Sequence, residues 1–175
     1  AGGSRALTHS VEGAEDDMDA GGQAVQFRGV GRKDIVIGIA ASGRTPFVWG
    51  ALGMAKKCGA KTALVCFNQN VKRKAGVPEI ILAPVIGPEI LTGSTRLKAG
   101  TATKLILNSI TTLTMVKLGK VAGNLMVDLD PKNEKLRKRA IRIMMTLTGV
   151  NSTQAHKALI RSKWVIKHAL AKLED

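Results

Sequence analysis

The chain has 175 residues, 45% of them apolar, and carries 27 Lys and Arg against 13 Asp and Glu, a net charge of +14. That length suits one ordinary domain, or one with a small appendage, and the apolar fraction excludes a disordered or collagen-like chain. The two cysteines, Cys58 and Cys66, exclude a disulfide scaffold and a cysteine-based zinc site and point to a reducing, intracellular setting.

The charge is unevenly placed. Residues 1–34 carry a net of −2, whereas residues 35–131 and 132–175 each carry +8. A basic chain invites a nucleic-acid reading. Tyr is absent, however, and three Phe and two Trp do not furnish a stacking platform for single strands. No base-reading motif is present, so nucleic acid is not an expected partner. Uncharged stretches such as Leu105 to Val116 are too short to span a bilayer, and the opening residues do not read as a signal peptide.

The chain opens with an acidic passage, Val11 to Asp17 (VEGAEDD), in which Glu12 and Glu15 stand three apart and would share a helix face. Ile35 to Ala41 (IVIGIAA) is a short β-branched run suited to a parallel strand buried on both faces. Thr45 and Pro46 then form a strong helix start, and Gly59 is placed to end that helix. Thr62 to Cys66 reads as a second strand, which makes a β-loop-α-β unit. Phe67 to Val77 is a solvated loop or short helix, and Glu79 to Ala83 a third strand.

A Gly- and Thr-rich passage follows, then a helix from about Ser94 to Leu118, closed by Gly119. Asn133 can cap a helix with Leu136, Ala140, Ile143 and Leu147 on one face and Lys135, Arg137, Lys138, Arg139 and Arg142 on the others. Two shorter helices are expected near Thr153 to Arg161 and Lys163 to Leu173. The expected organisation is α/β for residues 1–131 and a three-helix subdomain for residues 132–175.

Three places could carry chemistry. Ser42-Gly43-Arg44-Thr45 lies at a strand-to-helix turn, where unpaired N–H groups and the helix dipole favour an anion. Gly43 allows close backbone approach, Ser42 and Thr45 add hydroxyls, and Arg44 adds charge. The turn reads equally as an ordinary capped helix, and it matches neither a Walker A loop nor a GxGxxG fingerprint. Thr92 to Thr101 repeats the pattern with Ser94, Arg96 and Lys98, after Glu89; alone it reads as capping plus a solvated face. Two such loops at one sheet edge favour a phosphorylated ligand. In the acidic passage a carboxylate beside a bound sugar could act as a general base, although spacing alone favours a solvated helix end. His9, His156 and His168 form no metal spacing.

Four segments in order, AGGSRALTHSVEGAEDD, DIVIGIAASGRTPFVWGAL, VIGPEILTGSTRLKAGTATKLILN and GKVAGNLMVDLDPKNEKLRKRA, resemble the N-acetylmuramic acid 6-phosphate etherases. These are bacterial cytoplasmic enzymes of the sugar-isomerase (SIS) fold, related to glucokinase regulatory protein. The resemblance implies cleavage of the D-lactyl ether of N-acetylmuramic acid 6-phosphate to N-acetylglucosamine 6-phosphate and D-lactate, in cell-wall recycling. The chemistry implied is elimination followed by hydration, with two glutamates as acid and base and without metal or cofactor.

By the same resemblance, Glu15 is catalytic and Glu12 lines the sugar site. Ser42, Thr45 and Ser94 contact the sugar phosphate, with Gly43, Arg44 and Lys98 placed to assist. The family's other catalytic glutamate falls outside these 175 residues, which makes the chain resemble an N-terminally truncated member lacking the first strand of its sheet. Impaired activity and a homodimer are expected. A sugar-phosphate-binding regulator like glucokinase regulatory protein is the alternative.

Overall fold

The computed structural model describes residues 1–74 and 76–174. They fall into two compact units, Ala1–Leu105 and Ile106–Asp175, each taken by itself below.

The first unit is α/β. A 3-10 turn at Gly3–Leu7 precedes helix α1 (Met18–Phe27), strand β1 (Ile35–Ile39), helix α2 (Pro46–Lys57), and strands β2 (Lys61–Val65) and β3 (Ile80–Leu82). The strands form one parallel sheet in the order β1-β2-β3, with Ile35 beside Lys61 and Ala63 beside Ile80. Pairing runs on past β1, since the Ala40 N–H donates to the Val65 carbonyl at 3.0 Å and the Phe67 N–H to the Ala41 carbonyl at 2.9 Å. The central strand is buried from Thr62 to Val65.

β1 is not buried on both faces as its composition suggests. Ile35 and Ile39, on one side of the pleat, are exposed, while Gly38 on the other side packs against Val48 and Leu52 of α2. The strand has β2 alone beside it, so an apolar run suited to a sheet interior here forms an edge.

Helix α2 starts at Pro46 with Thr45 as N-cap, as expected, and Gly59 follows its end in a left-handed conformation. The helix α1 that it packs against is absent from the sequence reading. Asp17 caps it through an acceptor contact to the Ala20 N–H at 2.8 Å. The two helices cross at glycines: a Cβ on Gly21 would run into the Phe47 carbonyl, and one on Gly50 into the Met18 carbonyl. Val25, Ala55 and Ala60 form one core cluster there, and Trp49, Leu52, Leu64 and Cys66 lie in a second cluster against the sheet.

Helix α3 (Lys98–Lys117) begins four residues later than Ser94. Its first N–H groups are taken by a side chain from outside the local sequence: the Glu89 carboxylate accepts from Lys98 N–H at 2.9 Å and from Ala99 N–H at 3.0 Å. Ser94 instead closes a turn onto the Leu91 carbonyl at 3.0 Å.

In the second unit, strands β4 (Val121–Ala122) and β5 (Leu125–Met126) make an antiparallel hairpin around Gly123-Asn124. Helices α4 (Glu134–Thr148), α5 (Ser152–Arg161) and α6 (Ile166–Glu174) follow. Asn133 caps α4 by accepting from the Leu136 N–H, and Asn151 with Gln154 forms a reciprocal capping box on α5. The core joins Ala140, Ile143 and Met144 of α4 to Leu159, Ile166 and Ala169, and also takes in Val127 from just beyond the hairpin. Met144 fills the place expected of Leu147, which is exposed: a wide apolar stripe on a helix presents either the i+3 or the i+4 member inward.

Candidate active site

The turn after β1 is held from behind. Gly43 has φ of 69° and donates its N–H to the Ala40 carbonyl at 2.8 Å, a tight reversal that a side chain would strain. A Cβ there would also press on Val71 at 3.0 Å. The Gly43 carbonyl accepts from the buried Trp49 Nε1–H at 2.9 Å, and the Ser42 carbonyl from Asn68 Nδ2–H at 3.0 Å. The Ser42 hydroxyl oxygen accepts from the Arg44 N–H at 3.2 Å.

Thr45 is an N-cap whose hydroxyl caps nothing. An N-cap side chain ordinarily accepts from the second or third N–H of its helix. Here the Phe47 N–H donates to the Glu15 carbonyl at 3.0 Å, and the Val48 N–H to the Thr45 carbonyl at 3.1 Å. Both usual donors are engaged, so the hydroxyl is left for something else.

The Phe47–Glu15 bond brings the acidic passage to the start of α2. Glu12 and Glu15 do not share a helix face; they lie in successive turns, because Gly13 takes φ of 73° and the helix begins only after Asp17. Glu15 lines a cavity of about 380 Å³ together with Ser42, Thr45, Phe47, Gly93 and Thr95. Glu12 accepts from the Ser10 hydroxyl at 2.6 Å and lines neither this cavity nor its neighbour.

The neighbour, of about 370 Å³, shares Ala41, Ser42 and Thr95 with it and adds Arg44, Phe67, Asn68 and Glu89. The Arg44 side chain has no hydrogen-bond or ion-pair partner among the described residues. Glu89 is held below the ordinary carboxylate range, chiefly by the N–H groups of Ala99 and Lys98 and also by the Lys98 charge. Lys98 turns its Nζ onto the Pro88 carbonyl at 2.7 Å, and neither Lys98 nor Ser94 lines either cavity. Gly43 likewise lines neither, and its place is under the turn.

Ser42 from the loop after β1 and Thr95 from the passage after β3 thus line both cavities. Thr95 lies inside the candidate passage Thr92 to Thr101 and Glu89 just before it, whereas Asn68 belongs to no candidate passage. Asn68 follows the carboxyl end of a parallel strand, where ligands of such sheets bind, and that position was the available signal. A larger cavity of about 900 Å³ between α1, β1 and the N-terminal turn is lined mainly by apolar groups such as Val25, Phe27 and Val36. Arg28 and Gln23 also line it, but no hydroxyl or carboxylate side chain does. Among the described residues no three His, Cys, Asp or Glu side chains are grouped to hold a metal ion.

Residues 1–56 match the family model for the glucokinase regulatory protein N-terminal SIS domain, and residues 123–174 that for the C-terminal lid domain of glucokinase regulatory protein. The N-acetylmuramic acid 6-phosphate etherase of Mesorhizobium japonicum is 51% identical over 170 residues, covering 97% of this chain and 55% of the relative. That of Cutibacterium acnes is 53% identical over 161 residues, covering 91% of the chain and 52% of the relative. The etherase of Pseudothermotoga lettingae is 51% identical over 172 residues, covering 97% and 56%. Along nearly all of its length the chain is therefore similar to N-acetylmuramic acid 6-phosphate etherases. It spans about half the length of the curated relatives it matches. The SIS match covers the first 56 residues of its α/β unit, and its last three helices lie within the lid match.

Proposed function

We propose that the chain carries the Glu15 side of a lyase site that cleaves the D-lactyl ether of N-acetylmuramic acid 6-phosphate to N-acetylglucosamine 6-phosphate and D-lactate. The observation that carries this reading is the cavity lined at once by Glu15 and by Ser42, Thr45 and Thr95. A phosphate monoester needs converging donors, and the two threonines, the serine and Arg44 of the adjoining cavity supply hydroxyls and charge.

The reaction fits a carboxylate beside that phosphate. A base takes the proton from the carbon next to the ether carbon, the C–O bond breaks, and the departing lactate oxygen receives a proton. Water then adds across the double bond, its hydroxyl on the former ether carbon and its proton on the neighbour. Glu15 serves as one acid/base in this sequence, with a second carboxylate from outside these residues. Glu12 and Ser94 belong to the surrounding shell in this reading, with Lys98 holding the loop before α3.

We place the enzyme in the cytoplasm as a homodimer, on the strength of the family resemblance alone. No helix among the described residues is long and apolar enough to cross a membrane.

The test is D-lactate release from N-acetylmuramic acid 6-phosphate, by the chain as it stands and by a chain extended upstream of Ala1. Release that depends on Glu15 supports the lyase. Tight sugar-phosphate binding without turnover in both would favour the second reading, a binding regulator, to which the names of the two matching family models point.

A further inference from the structure

We propose that the open edge of β1 is a pairing site for a second copy of this chain, joined antiparallel about a two-fold axis through Ile37, so that two three-stranded sheets become one. The inference rests on the homodimer proposed above, to which it gives a specific interface, and is independent of the lyase chemistry.

A strand in a parallel pair sends the backbone groups of alternate residues to opposite sides. The Asp34 carbonyl accepts from the Lys61 N–H at 3.0 Å and the Ala40 N–H donates to the Val65 carbonyl at 3.0 Å, so Val36 and Gly38 between them also serve β2. Ile35, Ile37 and Ile39 turn their N–H and carbonyl groups to the other side, where no strand lies. None of these groups has a hydrogen-bond partner among the described residues. Edge strands are ordinarily blunted by a charge, a proline or a bulge, and Ile35–Ile39 carries none of them.

A second copy fits this edge by symmetry. With the two-fold axis through Ile37, that residue faces the partner's Ile37, and Ile35 faces the partner's Ile39, each pair exchanging both of its N–H to carbonyl bonds. On one face of the joined sheet Ile35 and Ile39, 55% and 44% exposed, cover one another. On the other face Val36 stands opposite the partner's Gly38, large against small. Gly38 has no room for a side chain of its own, since a Cβ would meet Val48 at 2.6 Å.

Charge is complementary in the same register. Lys33 comes opposite the partner's Ala41, and Ala41 lines the cavity that Glu15 lines. The basic start of one strand thus meets the acidic turn beside the end of the other, once on each side of the axis. Neither the Lys33 nor the Glu15 side chain has an ion-pair or hydrogen-bond partner among the described residues.

The experiment follows the full chain by sedimentation velocity across the micromolar range, with amide hydrogen exchange on the same samples. The wild type should be a dimer in which the Ile35, Ile37 and Ile39 amides are protected. Ile35→Lys should be monomeric, with the Ile37 and Ile39 amides exchanging freely. The Val36 and Gly38 amides, which bond to β2, should stay protected in it and report an intact fold. Register is read by oxidation. Ile37→Cys should cross-link to itself, because its Cα lies about 5.5 Å from its counterpart, within disulfide reach. Ile35→Cys lies about 14 Å from its own counterpart and should not, which also controls for the native Cys58.

Should Ile35→Lys not fold, the cysteine pair and the wild-type exchange pattern decide. A dimer that survives Ile35→Lys, or whose edge amides exchange freely, would keep the homodimer and overturn the edge pairing. Equal cross-linking by Ile35→Cys and Ile37→Cys would overturn the register. Protected edge amides in a monomer would give the edge to a segment of the same chain, and a monomer with free edge amides would remove the homodimer as well; either overturns the proposal.

Discussion

The backbone N–H of Phe47 donates to the carbonyl oxygen of Glu15 at 3.0 Å, so the acidic turn is hydrogen-bonded to the first turn of α2. The bond uses main-chain atoms on both sides. It survives any change to the Glu15 side chain, which separates the chemistry of that carboxylate from its structural role.

Glu15→Gln should therefore fold normally and still bind N-acetylglucosamine 6-phosphate, while D-lactate release drops by ~10²–10⁴-fold, the usual worth of a general acid or base. Parallel calorimetry and lactate assays check it. An active Gln variant would remove Glu15 from the mechanism.

Glu89 ties the loop after β3 to the start of α3, and its pKa is lowered by the N–H groups it accepts from. A carboxyl group whose folded pKa is depressed contributes stability above its ordinary value and loses it as pH falls through the lowered one. Hydrogen-exchange protection of the Lys98 and Ala99 amides should accordingly hold at neutral pH and fall away under acid conditions, below the ordinary value of 4.5. Glu89→Gln keeps one acceptor oxygen in place of two, and should lose protection at one of the two amides at every pH.

At the α1–α2 crossing, Gly21→Ala places a methyl group against the Phe47 carbonyl. Overpacking of this kind costs about 1–3 kcal/mol, and backbone does not yield as a flexible side chain would. Chemical denaturation should show that loss. The same variant should weaken sugar-phosphate binding, because the helix end that moves is the one bonded to Glu15. Gly53→Ala, on the same helix where a Cβ meets nothing, is the control and should be neutral or stabilising.

In the helical unit, Asn151 and Gln154 exchange two hydrogen bonds at the start of α5, at 2.9 and 3.1 Å. Asn151→Ala should cost about 0.5–2 kcal/mol, and Asn151→Ser should recover most of it. Unfolding followed by circular dichroism checks both.

Much of the parallel sheet was readable because its signals are local. A β-branched run, Thr45-Pro46 at a helix start and Gly59 after its end each act within a few residues. The start of α3 was misplaced for the opposite reason. Its cap is Glu89, nine residues before Lys98, well beyond the few residues over which an ordinary N-cap acts. Helix α1 was missed because its glycines lower helix propensity, although they are what allow its close contact with α2. The hairpin at residues 121–126 is two residues a side, too short for a periodic pattern, with Gly123-Asn124 as its one signal. At the site, Ser42, Thr45 and Glu15 were legible as motif residues. Thr95 was legible only as part of the Thr92–Thr101 passage, and Asn68 not at all, since its place depends on the loop after β2 reaching back to the Ser42 carbonyl.

The crossing of α1 and α2 has a bearing on how the pocket can change. Where two helices touch through side chains, substitution and rotamer choice let one slide against the other. Gly21 and Gly50 leave main chain against main chain, with no such adjustment available. The separation between the Glu15 backbone and the start of α2 is thus set by main-chain contacts. Residues such as Asn68, Glu89 and Thr95 sit on loops outside that crossing. Substitutions there can reshape the cavity wall while the Glu15 backbone stays where it is.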